Sequence, residues 1–158
     1  MFGFGKTIEI LSPLEGKTLP LSECGDEAFA GEMLGKGLAI LPSKGLLVAP
    51  FDAKVEVLFD TAHALSLLSE DGLEFLIHIG IDTVKLKGRH FKALVQQGAE
   101  VKAGDPLIEF DPQAIQQEGY SIIVPMVVCN SADYVRIESF PGRNIRPLDK
   151  VILRLRKK

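Results

Sequence analysis

The chain has 158 residues, of which 25% are charged and 46% hydrophobic, and its formal net charge is −3. That length suits one domain with a real core, and so slight an acidity leaves no basic footprint for phosphates, which excludes nucleic acid as the main partner. No apolar run approaches the roughly 20 residues that cross a bilayer, so no stable membrane insertion is expected.

The first segment, Met1 to Lys6, is too short and too glycine-rich for a signal sequence. Residues 1–6 are expected to be a flexible tail and residues 7–158 one domain, in a cytoplasmic protein that acts as a monomer. Fifteen glycines and nine prolines punctuate short runs of Ile, Leu, Val and Phe, a pattern of strands and turns. Leu11-Ser12-Pro13-Leu14, Val48-Ala49-Pro50-Phe51 and Val124-Pro125-Met126 each set a proline in or beside an apolar run. Such a proline belongs at a strand start, an edge or a bulge. Cys24 and Cys129 are the only cysteines and form no CxxC, which excludes a zinc knuckle and argues against a disulfide framework.

Brief helical turns are expected over 29–34 and 87–97. A third is expected over 113–118, where Asp111-Pro112 precedes it and Pro suits a first helical position. A second echo relates 101–108 to 145–152: a strand end, a turn with Asp, then a new strand. The tail from Arg154 to Lys158 alternates and reads as a solvated edge strand. The whole is expected to be all-β, an antiparallel β-sandwich or barrel.

Two histidines bracket the central turn. Apolar residues lead from His63 to Ser69-Glu70-Asp71-Gly72, and the chain returns through Leu73 to Asp82 past His78. Asp-Gly between apolar runs signals a hairpin. A loop centred on Glu70-Asp71 places His63 opposite His78; a loop of Asp71-Gly72 places it opposite Gly80, one diagonal from His78. Either register puts both imidazoles on one face, with Cβ atoms about 4.5–5.5 Å or 7–8 Å apart. Phe59, Thr61, His63 and Leu65 would share that face with Leu76, His78, Gly80 and Asp82, Gly80 leaving room beside His78. Imidazole is nucleophilic when neutral, and a second ring can donate to phosphoryl oxygens. Thr61 is placed to hold His63 in one tautomer. Spacing alone leaves a metal hydrolase and a phosphotransferase tied. His90, in Lys87-Gly88-Arg89-His90, reads as solvated surface.

The run from Gly72 to Val84, continued by Lys85-Leu86-Lys87-Gly88, resembles the signature of the glucose-type enzyme IIA proteins of the bacterial phosphoenolpyruvate:sugar phosphotransferase system. Val101 to Asp105, Glu109-Phe110-Asp111, Ile8 to Gly16 and Val48 to Asp52 extend the resemblance over nearly the whole chain. It implies a duplicated-hybrid-motif-like sandwich with a few short helical turns. It also implies a covalent phosphohistidine on His78 through Nε2, with no cofactor, and gives His63 the part of helper and Thr61 that of its hydrogen-bonding partner. The donor implied is the phosphocarrier protein HPr, and the acceptor a cysteine on the IIB domain of a sugar permease. Phe29, Met33, Leu34, Phe59 and Leu76 match an apolar docking surface, which also takes in Gly80, and Asp26 and Asp82 match acidic positions that meet HPr. Lys36, and Gly25 before Asp26, depart from the pattern. Two other readings stand beside this one. The first is a regulatory module whose phosphorylation state controls transporters or metabolic enzymes. The second is a zinc hydrolase using His63 and His78, which needs a third ligand and a general base; Gly80 stands where a His-x-His pair would have its second histidine, and Asp82 is the carboxylate available. The lack of a Met-Lys-Met hairpin argues against a biotin or lipoyl carrier.

Overall fold

A computed structural model describes residues 5–158; Met1 to Phe4, most of the expected tail, lie outside the described residues. In chain order the strands and helices are β1 (Thr7–Leu11), β2 (Gly16–Pro20), α1 (Glu27–Ala30), β3 (Lys36–Pro42), β4 (Leu46–Val48), β5 (Ala53–Leu58), β6 (Ala64–Ser69), β7 (Glu74–His78), β8 (Phe91–Ala93), β9 (Glu100–Val101), β10 (Pro106–Phe110), α2 (Pro112–Gln117), β11 (Val124–Val128), β12 (Tyr134–Ser139), β13 (Asn144–Ile145) and β14 (Val151–Lys157). Short 3-10 turns cover Leu21–Glu23, Thr83–Leu86 and Ser131–Asp133. The largest sheet has the order β13-β2-β3-β11-β7-β6-β5-β9, and two three-stranded sheets, β1-β14-β12 and β4-β10-β8, pack against it. All pairings among the described residues are antiparallel. The large sheet ends in the two-residue strands β13 and β9, which do not pair with each other, so the architecture is a sandwich rather than a closed barrel.

Alternation along the strands builds the core. Leu38, Ile40, Phe75, Ile77 and Met126 of the large sheet are fully buried against Ile10, Leu153 and Leu155 of one small sheet and Leu47 and Ile108 of the other. The opposite face of the large sheet carries a second apolar cluster. Leu21, Cys24 and Phe29 cover Ala39 and Val127 there, and Leu76 packs alongside. His78 follows Leu76 on this same face.

The two sequence echoes join as one structural feature. Lys102 N–H donates to Asp105 Oδ2 (2.8 Å) and Arg146 N–H to Asp149 Oδ1 (2.9 Å). Gly104 N–H then reaches Ala49 O (2.8 Å), and Leu148 N–H reaches Ser12 O (2.7 Å). Each Asp turn therefore hangs on the residue preceding one of the repeated prolines.

Other expectations are corrected. The helix expected over 87–97 is a turn followed by β8, which pairs with β10 (Phe91 opposite Phe110). Lys87 and His90 sit at φ +54° and +76°, outside the helical region. The turn expected over 29–34 lies earlier, as α1, because Asp26 caps it by accepting Ala28 N–H (2.9 Å). Glu32 at φ +60° ends its continuation. The helix expected over 113–118 is α2, with Asp111 as its cap and Pro112 in its first turn. The basic tail is the middle strand of its sheet, not an edge. Leu153 and Leu155 point into the core, while Arg154 reaches Glu9 on one neighbour (2.9 Å) and Glu138 on the other (3.6 Å).

If the two Asp turns are equivalent, Asp105→Ala and Asp149→Ala should each lower stability by about 1 kcal/mol in urea unfolding. A loss at one position alone would contradict the equivalence.

Candidate active site

The β6–β7 hairpin has a three-residue loop rather than a two-residue one. Ser69 N–H donates to Leu73 O and Gly72 N–H to Ser69 O (both 3.0 Å), with Gly72 at φ +84°. This is the turn-plus-left-handed-glycine form of a hairpin. The register then sets Ala64 opposite His78 and Leu65 opposite Ile77, one residue from both expected registers. By strict alternation His63 would face the core with Leu65. It does not, because it precedes β6. Ala62 at φ +56° and a bond from Ala62 N–H to Phe59 O (2.8 Å) form a turn that re-aims the next side chain. The two imidazoles meet edge to face, with centroids 4.9 Å apart. Leu65, expected on that face, is fully buried in the core, whereas Phe59 is 42% exposed.

Each ring has a partner at Nδ1. His78 Nδ1 lies 2.7 Å from Gly80 O. A carbonyl only accepts, so Nδ1 carries the proton and the neutral ring keeps its lone pair at Nε2. His63 Nδ1 is hydrogen-bonded to the Thr61 hydroxyl. Phe29 lies against His78 (5.4 Å) and Phe59 edge-on to His63 (5.2 Å). Burial, with His78 as neighbour, lowers the His63 pKa to about 4. Burial also lowers that of His78, against the opposing pull of the Gly80 carbonyl and of the Asp26 and Asp82 charges. Both rings are therefore neutral at pH 7.

Gly80 serves a different purpose from the one expected. A Cβ there would fall 2.4 Å from Thr83 Cγ2 and 2.8 Å from Ser121 O, and the residue sits at φ +80°. What it provides is a left-handed turn and a carbonyl aimed at His78, not space beside the ring. Gly80 N–H donates to Ile123 O (3.0 Å) and Ile81 N–H to Ser121 O (3.1 Å). Those two acceptors carry no sequence signal, since backbone carbonyls are anonymous.

The remaining residues rim the site. Met33 and Leu34 are 78% and 43% exposed, and Val84, not anticipated, is 51% exposed. Phe29 is buried and Leu76 half-buried. Asp26 is half-buried as the cap of α1, and Asp82 is exposed. Lys36 is exposed at the start of β3, its N–H donating to Ser131 Oγ (2.9 Å). His90 is half-buried rather than fully solvated, and with Arg89 it binds Glu118. A cleft of about 570 Å³ around Gly16 and Ile145 is lined by neither site histidine. Among the described residues no set of three or more His, Cys, Asp or Glu is grouped to hold a metal.

Fold and site together define an antiparallel β-sandwich protein with a centre of two neutral histidines. Residues 8–134 match the family model for the phosphoenolpyruvate-dependent sugar phosphotransferase system, EIIA 1. The chain belongs to this family. It is 45% identical over 138 residues to the "PTS system mannose-specific EIIBCA component" of Corynebacterium glutamicum, which covers 87% of this chain and 20% of that protein. It is 44% identical over 126 residues to the "PTS system glucose-specific EIIA component" of Staphylococcus epidermidis, covering 80% of this chain and 76% of that one. The solved glucose permease IIA from Mycoplasma capricolum superposes with a TM-score of 0.87 at 34% identity, covering 98% of this chain and 99% of that one. The chain spans about a fifth of the length of the EIIBCA relatives.

Two outcomes follow from this geometry. Gly80→Ala, strained at positive φ and overlapping Thr83 and Ser121 O, should cost on the order of 1–3 kcal/mol in chemical unfolding. For His63, the folded pKa of about 4 lies below the ordinary 6.5, so between those values the unfolded chain binds more protons. Its contribution is full above pH 6.5 and is lost as the pH falls toward 4, about 3 kcal/mol in all. Stability measured from pH 8 to 4 should fall less steeply in His63→Gln than in the parent.

Proposed function

We propose that this chain is a phosphoryl carrier of the sugar phosphotransferase system, acting in the cytoplasm as a single monomeric domain over residues 7–158. It takes the phosphoryl group from phospho-HPr on His78 and passes it to the cysteine of a permease IIB domain. The observation that carries this reading is the bond from His78 Nδ1–H to the Gly80 carbonyl beside a second neutral ring. It leaves Nε2 with a lone pair at neutral pH, the requirement for a histidine nucleophile. The relatives' names supply the sugar class: mannose, glucose and β-glucosides.

In the step itself, Nε2 of His78 approaches the phosphorus in line with the nitrogen of the donor phosphohistidine. The new N–P bond forms as the old one breaks, and that bond's electron pair returns to the donor imidazole. No proton needs to leave His78 Nε2, because the Gly80 carbonyl has already placed the proton on Nδ1. When the Thr61 hydroxyl donates to His63 Nδ1, the neutral ring holds its proton on Nε2. That N–H donates to the phosphoryl oxygens, whose charge is what such a transition state must have stabilised. The acceptor cysteine then repeats the displacement as a thiolate, releasing His78 with its lone pair restored.

Met33, Leu34 and Phe59, with half-buried Leu76, make the apolar ground on which both partners dock in turn, and buried Phe29 and Gly80 support it from beneath. Asp26 and Asp82 steer the basic face of HPr. They also temper the fall in the His78 pKa, so one pair of carboxylates serves both docking and chemistry. Lys36 is the rim charge that opposes a basic partner.

With phosphoenolpyruvate, enzyme I and HPr, the protein should acquire one acid-labile histidine phosphate. His78→Ala should acquire none; full labelling of that variant would overturn the assignment. His63→Gln should still be labelled by HPr but transfer onward to IIB far more slowly, whereas unchanged onward transfer would remove His63 from the mechanism. Because the His78 pKa lies below 6.5, its ring should be more than half neutral at pH 6.5 in an NMR titration.

A further inference from the structure

Thr83 is one of four buried polar or charged residues among the described ones, with Ser12, Thr18 and His63, and it is 0% exposed. A buried hydroxyl is costly unless bonded. That of Thr83 donates to Ile79 O at 2.5 Å. Ile79 is the residue where the backbones of the two histidines meet: its N–H donates to His63 O (2.7 Å). The next residue, Gly80, supplies the carbonyl that accepts from His78 Nδ1.

The peptide between Ile79 and Gly80 is a rigid plane carrying the Ile79 carbonyl and the Gly80 N–H on opposite sides. Thr83 Oγ1 binds the carbonyl, and Ile123 O binds the N–H (3.0 Å). The plane is thus held at both edges. The methyl of Thr83 closes the third side, since a Cβ on Gly80 would fall 2.4 Å from it. The aim of the Gly80 carbonyl is then set by φ, at +80°, and ψ of Gly80. That is bounded in turn by Ile81 N–H on Ser121 O (3.1 Å). Remove the hydroxyl, and the plane keeps one bond beside the residue type with the widest backbone freedom.

We infer that Thr83 is a positioning residue: by pinning the Ile79–Gly80 peptide it selects the Nδ1–H tautomer of His78 and so keeps Nε2 as the reacting atom. The Thr83 hydroxyl bonds the Ile79 carbonyl and not a ring nitrogen, and Thr83 is not catalytic. The consequence for rate rests on the carrier function proposed above; the consequence for the tautomer does not.

The test uses the full chain labelled with 15N at histidine, as Thr83→Val, Thr83→Ala and Thr83→Ser. Long-range proton–nitrogen spectra at pH 8 report which ring nitrogen of His78 holds the proton. Wild type and Thr83→Ser should both show Nδ1–H alone. Thr83→Val and Thr83→Ala should show His78 exchanging between tautomers. Their phosphorylation by phospho-HPr should slow by about ten- to a hundredfold, with the KM for phospho-HPr unchanged because the rim is untouched.

A pure Nδ1–H signal in folded Thr83→Val or Thr83→Ala would overturn the inference. So would loss of that signal in Thr83→Ser, which would make the methyl the determinant. If neither Thr83→Val nor Thr83→Ala folds while Thr83→Ser does, Thr83 is a residue of general stability and the assignment also falls. Wild type that shows the tautomer but takes no phosphoryl group would refute the carrier function and leave the positioning role standing.

Discussion

The site depends on one hydrogen bond, from His78 Nδ1 to the carbonyl of Gly80. It decides which nitrogen of the ring is free, and so where the neutral ring keeps its lone pair. A carbonyl two residues onward turns back to its own chain's imidazole only if the backbone leaves the strand at once. β7 stops at His78, and Gly80 enters at φ +80°. Nothing in a regular strand would bring the two together, because successive carbonyls point along the sheet, away from the side chains.

Burial of the rings brings a second constraint. Phe29 and Phe59 press on the two imidazoles and hold both pKa values below the ordinary one. The same pressure keeps both rings neutral. Phe29 reaches His78 because the second apolar cluster seats the α1 segment on the outer face of the large sheet. Asp26 caps that short helix and also acts on His78 through its charge. One small satellite core therefore orders a helix, buries a ring and places a carboxylate. The exposed Met33 and Leu34 beyond it are the residues that an isolated protein has no reason to leave in water.

Much of this was legible in the chain and some was not, for identifiable reasons. The proline and Asp-turn echoes were visible as faint repeats; their meaning came from Ser12 and Ala49, whose carbonyls receive Leu148 and Gly104. The hairpin was legible, its register was not. Glu70-Asp71-Gly72 admits two- and three-residue loops, and one residue reverses every face. The two histidines were expected together and are together, but the turn at Ala62 accomplishes it, not the alternation. The stretch 87–97 is expected as a helical turn and instead forms a turn and the short strand β8, because pairing with β10 outweighs local propensity. The place of the basic tail in its sheet is not legible, since alternation shows that one face is buried and is silent on how many neighbours flank it.

By itself, then, the sequence determined the residue types: two imidazoles, a threonine two residues before one of them, a glycine two residues after the other, and strands short enough to make a sandwich. Side-chain chemistry and the period of two are local properties, readable without coordinates. Tertiary structure alone decided which nitrogen of His78 keeps its lone pair, which phenylalanine lies against which ring, and that Thr83, Ser121 and Ile123 converge on the backbone of residues 79–81. Those are matters of backbone groups meeting across distant segments, and a backbone carbonyl has no letter of its own in a sequence.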